Sequence, residues 1–144
     1  NDIDAFALRI ADAVKSATRA GVAASVVAAA SRSVYPVPRL LTPTIYRNTV
    51  SDLAVAPVYY VLNYRGPLNP ATAVARRAAL RGLASAGPGL SWDEFPFAST
   101  LQGGTGSFVH AVPRRENSVQ GGLLRAFYYT RSFIPGPFFV LPIP

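Results

Sequence analysis

A chain of 144 residues, half of them hydrophobic, is long enough for one domain with a real core and too apolar to stay disordered. Its net charge of +7 rests on thirteen Arg and one Lys against seven carboxylates, which points to nucleic acid, an anionic membrane or an acidic protein partner without choosing among them. The lack of Cys excludes a disulfide framework and any thiolate-ligated zinc site.

The chain opens on Asn rather than Met, so it reads as a processed or excised piece of something longer. Asp2 and Asp4 stand where a signal peptide would carry positive charge. Residues 2 to about 32 are expected to be helical: Ile3, Phe6, Ile10, Val14 and Ala17 recur at three- and four-residue spacing, and Asp2 and Asp4 suit the N-terminal end of the dipole. The run "AGVAASVVAAAS" is too short to cross a bilayer, so no membrane span is expected. In "YPVPRLLTPT", Pro36, Pro38 and Pro43 forbid continuation of the helix. A connector is therefore expected over about 34–50, dividing the chain into an N-terminal helical element with a Pro-rich connector (1–50) and a second unit (51–144).

"VAPVYYVLNY", residues 55–64, has the β-branched and aromatic content of a strand. The next segment, "NPATAVARRAALRGLASAGPG", reads as a helix with Asn69 as N-cap, Pro70 at the first helical position and Gly87-Pro88 at its end. Arg76, Arg77 and Arg81 give it a basic face, which for any single Arg reads as a solvated surface before a phosphate contact. The remainder reads strand ("DEFPFAST"), turn ("LQGGTG"), strand ("SFVHAVP"), helix ("ENSVQGGLLRAFYYT") and closing strand ("PFFVLPIP").

Only three carboxylates lie beyond residue 60: Asp93, Glu94 and Glu116. A hairpin followed by a helix brings the first strand close to the helix start, and so brings Asp93 and Glu94 close to Glu116 and Asn117. Such oxygen ligands suit Mg²⁺ or Mn²⁺, which keep several waters and take few protein ligands. A carboxylate beside a hard cation can activate water against a phosphate, and Arg can meet the growing charge. Arg76, Arg77, Arg114, Arg115 and Arg125 are the candidate phosphate contacts. The same residues also allow a structural reading, with Asp93-Glu94 guarding an edge strand and Glu116-Asn117 capping a helix. His110, on the second strand, reads as a packed or surface residue first, and as a second base or leaving-group acid only after that.

Together, "WDEFPFAST", "GG", "VP", "ENSVQGG" and "FYY" resemble the signature of the NucA/NucB deoxyribonucleases, in order and spacing, over residues 91–128. A weaker likeness begins near Val58, and residues 1–50 lie outside it. The resemblance implies an α+β fold with a ββα-metal nuclease-like core, a small antiparallel sheet with helices, preceded here by an N-terminal helix. It implies a metal-dependent, largely sequence-non-specific endonuclease acting on DNA. Asp93 takes the place of the general base, Glu94 an orienting role, and Asn117 that of the helix metal ligand, with Gln120 in support. Some members carry an acidic residue further along the metal helix. This chain has none after Glu116, which leaves Glu116 with Asn117 as the implied ligand set, or a weak metal site.

Three functions follow as expectations: the endonuclease, a non-catalytic nucleic-acid-binding module on the same fold, and a membrane-interacting piece centred on residues 3–32. Within the first, the family's settings are secreted scavenging and delivery into a target bacterial cell as a toxin domain. The latter would bring an acidic immunity protein as partner.

Overall fold

The computed structural model describes residues 1–144. Helix α1 (Asp2–Arg19) starts on a capping box: Asn1 Oδ1 accepts from Asp4 N at 2.9 Å, and the Asp4 side chain reaches back to the N-cap backbone. The single helix expected over 2–32 is two helices. At Gly21 the backbone turns to φ +96°, a left-handed conformation natural to Gly, and α2 (Ala24–Ala30) sets off anew. No helix is long and apolar enough to cross a membrane.

The expected connector is largely ordered secondary structure. Residues 34–38 form strand β1 (Val34–Pro38), followed by helix α3 (Pro43–Val55) with Pro43 in its first turn. Two prolines fit β1 because the strand has a partner on one side only. Backbone N–H groups two residues apart point the same way, so the donors missing at Pro36 and Pro38 fall on one edge, where no ladder is lost. Tyr35 and Val37 alternate with them and face the core. The boundary expected at residue 50 falls inside α3. A 3₁₀ turn (Pro57–Tyr60) then occupies half of the strand expected over 55–64, leaving β2 as Val61–Tyr64.

Helix α4 (Pro70–Ala79) starts as expected, with Asn69 Oδ1 accepting from Ala71 N at 2.9 Å, but stops a turn before Gly82, where φ is +79°. Hairpin β3 (Leu90–Phe95) and β4 (Phe108–Pro113) pairs Asp93 with His110. Helix α5 (Arg114–Thr130) follows β4 without a loop, and strand β5 (Gly136–Ile143) closes the chain. This hairpin-and-helix unit is the ββα core of an α+β fold.

The small antiparallel sheet expected in the ββα core is the β3-β4 ribbon, and a second, mixed sheet stands beside it. Strand β5 lies centrally in a three-stranded sheet ordered β1-β5-β2, parallel to β1 and antiparallel to β2, while β3 and β4 form a separate ribbon. The main core sits between these two layers and the inner faces of α3 and α5, around Tyr35, Ile45, Leu62, Phe95, Val112, Tyr128 and Phe138. A second cluster packs α1 and α2 on the other face of β5 through Ala13, Ala17, Ala30, Phe139 and Leu141.

The strand expected through "DEFPFAST" ends at Phe95, and residues 97–104 form a docked loop. Arg65 ties it down by donating from Nε to Ala98 O at 3.1 Å and from Nη2 to Gly103 O at 3.3 Å. Asn63 N donates to Gln102 Oε1 at 2.9 Å, and Ser99 Oγ pairs with the Tyr128 hydroxyl at 2.7 Å. Gly103 packs so closely on the Phe97 carbonyl that a Cβ there would collide with backbone. In the "GG" of the sequence Gly103 is thus a packing requirement, while Gly104 takes a φ of +125° that favours glycine.

Candidate active site

Between α4, β3 and α5 lies a cavity of about 460 Å³. Asp93 and Glu94 line it from β3, Asn117 and Gln120 from α5, and Arg76 from α4. Asn117, Gln120, Gly121 and Leu124 stand three and four residues apart, so one stripe of α5 supplies a whole wall.

Asp93 is only 6% exposed. Its Oδ1 accepts from Gln120 Nε2 at 2.7 Å, while Oδ2 has no protein donor. Burial pushes its carboxyl up from 3.8 to about 7; the Gln120 hydrogen bond works against that rise, Glu94 adds to it, His110 opposes it and Asp52 adds to it. A carboxyl balanced near neutrality in a cleft has the property a general base needs.

Glu94 is half-buried, and its Oε1 is shut away from solvent with no hydrogen-bond partner. Burial raises its titration point and the charge of Arg76 pulls it back. Such an orphaned oxygen is costly unless something outside the chain satisfies it. Asn117 donates from Nδ2 to Ser91 Oγ at 2.8 Å and to Trp92 O at 3.2 Å. Both amide hydrogens are thereby used on β3, leaving Oδ1 as an acceptor without a donor. Glu94 Oε1 and Asn117 Oδ1 are thus each unpaired oxygen acceptors of the kind a hard divalent cation takes, on two residues that line one cavity. No three His, Asp or Glu side chains converge on one point, so a cation held here would keep most of its water, as Mg²⁺ and Mn²⁺ do.

Glu116, expected beside Asn117 in the ligand set, does not line the cavity. It is 9% exposed, and its Oε1 accepts from Thr44 N at 2.8 Å and Ile45 N at 3.1 Å. These are N–H groups in the first turn of α3, whose own N-cap, Thr42, makes no side-chain cap. Glu116 thus caps a helix 72 residues away in sequence. Glu116→Ala is expected to lower unfolding free energy by about 1–2 kcal/mol in urea titrations, since it strips two N–H groups of their acceptor. The same variant should leave the metal concentration for half-maximal activity unchanged.

Of the candidate arginines, Arg76 lines the cavity and Arg125 lines a groove beside it. Arg77, Arg114 and Arg115 are exposed and line neither. His110 does not line the cavity. Its Nε2 lies 3.0 and 3.1 Å from the two oxygens of Asp52, a buried carboxylate on α3. The packed reading of His110 is the one its geometry favours: it fastens α3 to the hairpin.

Three site residues escaped the sequence reading. Ser91 positions Asn117, Asp52 adds its charge to the field at Asp93, and Gly121 leaves the α5 wall bare. Ser91 was accessible in principle, as it precedes Asp93 by two and so shares its face of β3.

The family model Deoxyribonuclease NucA/NucB matches residues 69–141, from the N-cap of α4 into strand β5, and so takes in every side chain that lines the cavity. A comparison with curated proteins finds no match. With half the chain covered, and with the ββα unit and its Asp-Glu strand inside the matched range, the chain belongs to the NucA/NucB deoxyribonuclease family.

Proposed function

We propose that the chain hydrolyses DNA phosphodiester bonds with a divalent cation, Mg²⁺ or Mn²⁺, and with little sequence preference. The observation that carries this reading is Asp93, a buried carboxyl brought to about 7 beside an orphaned Glu94 oxygen in the same cavity. Asp93 takes a proton from the attacking water through Oδ2, while Gln120 fixes the carboxylate through Oδ1. Glu94 and Asn117 would hold the cation. When bound, it supplies positive charge against a phosphate oxygen. Arg76, on the facing helix, meets the charge that grows on the phosphate. Exposed Arg side chains contact the backbone rather than base edges, which gives affinity without sequence information.

A nuclease that ignores sequence attacks any DNA it meets, that of the cell producing it included. The domain therefore works secreted or delivered into a target bacterial cell as a toxin, and its +7 charge suits an acidic immunity protein as partner. The purified domain should nick supercoiled plasmid in Mg²⁺ or Mn²⁺ and stop in excess chelator. Undiminished nicking in chelator would remove the metal from the account, and binding without nicking under any metal would favour the non-catalytic module.

A further inference from the structure

We infer that a second groove, opening from the catalytic cavity between α4 and α5, receives the nucleotide next to the scissile phosphate. The inference rests on the nuclease reading of the cavity. The groove has a volume of about 590 Å³, within the range of small-ligand pockets. Arg76, Ser99, Gly121 and Leu124 line both spaces, so the groove continues directly from the place where a phosphate would react.

Its chemistry fits a nucleotide. Arg125 stands on the α5 side, one helical turn beyond Gly121, and Arg76 on the α4 side. Between them the lining includes Leu124 and the half-buried Phe133, over a floor made by Tyr128, which is buried and stacked on Tyr64 at 3.7 Å. Cationic side chains beside an aromatic and aliphatic wall match the phosphate and base of one nucleotide. Packing of this kind accepts any base, in keeping with cleavage that ignores sequence.

Gly121 supplies an independent observation. A glycine inside a helix costs about 1 kcal/mol relative to Ala. Its backbone has no positive φ, and a Cβ built on it would meet nothing within 4 Å. Nothing in the chain itself requires Gly there. It sits at the junction of cavity and groove, where a side chain would obstruct a ligand and nothing else. The neighbouring Gly122 has equally empty surroundings but lines neither space, and so serves as an internal control.

The test compares cleavage of a DNA oligonucleotide with hydrolysis of bis(p-nitrophenyl) phosphate, which has no flanking nucleotide. Ala73 is exposed on α4 and lines the groove but not the cavity. Ala73→Trp should lower the ratio of the two rates by at least about tenfold, the size of one lost base–aromatic contact. Gly121→Leu should slow oligonucleotide cleavage by at least as much, and Gly122→Leu should match the parent on both substrates. A parent-like ratio in Ala73→Trp overturns the inference. If that variant does not fold by circular dichroism, Arg125→Glu takes its place with the same two outcomes. Should the parent cleave neither substrate, the nuclease reading fails separately. Anisotropy of a labelled pentanucleotide in chelator then decides the groove: weaker binding by Ala73→Trp than by the parent upholds it, and equal binding removes it.

Discussion

Asp93→Asn should lose about 10² to 10⁴ in cleavage rate and at the same time gain stability above neutral pH. The Asn carbonyl can still accept from Gln120, so the geometry at Oδ1 survives, but an amide cannot take a proton from water. The stability gain follows from the sign of the titration shift. Burial holds Asp93 at about 7 in the folded chain against 3.8 as its ordinary value. The folded state therefore binds this proton more tightly than the unfolded state does. The stabilisation is present in full below about pH 4 and is lost as pH rises through about 7. At about pH 8 the parent carries a buried carboxylate that Asn replaces with a neutral group, a difference on the order of 4 kcal/mol.

Urea titrations in chelator, so that no cation screens the carboxylate, should show Asp93→Asn more stable than the parent at about pH 8. The gap should shrink as pH falls toward 4. The parent's cleavage rate should rise with pH through the same region, while the residual rate of the variant shows no such inflection. If Asp93 only guarded an edge strand, Asn would cut at the parent's rate. That outcome would end its assignment as the base, whatever happened to stability.

The features legible in the sequence were those set by local rules. Asn69-Pro70 starts α4 because an Asx side chain and a ring-fixed φ act within one turn. Alternation found β4, and scarcity of acid drew attention to Asp93 and Glu94 before any fold was known. The illegible features depend on partners distant in the chain. Prolines at 36 and 38 argued against a strand until β5 paired on one side and left the other edge open. Helix α3 carries a stripe in Ile45, Thr49, Asp52 and Leu53, all buried, but Pro43 reads locally as a breaker although it sits at the first helical turn. Glu116 looked like a ligand because it adjoins Asn117. On a helix, however, adjacent residues point about 100° apart, and Glu116 turns toward α3 while Asn117 turns toward β3. His110 likewise found its partner across 58 residues, which no local pattern announces.

Glu94→Gln and Asn117→Ala should each raise the metal concentration needed for half-maximal cleavage by at least about tenfold, a cost that even indirect partners of a metal commonly carry. The argument for Glu94 is its orphaned, buried Oε1. An unpaired, buried oxygen on a carboxylate that lines the cavity is retained at a cost, and a cation relieves it. Gln removes the charge while keeping the shape, so the folded protein should gain rather than lose stability in chelator, in the direction of the raised Glu94 titration point. The argument for Asn117 is directional: its amide hydrogens are committed to Ser91 and Trp92, and only its carbonyl is left for a ligand. Because Ala also removes those two hydrogen bonds, Mn²⁺ binding should be measured directly by calorimetry without DNA, alongside the rate. Weakened Mn²⁺ binding in both variants, with Glu116→Ala binding as the parent does, supports Glu94 and Asn117 as the ligands. Parent-like affinity in both would place the cation elsewhere and leave Glu94 to a purely electrostatic role beside Arg76.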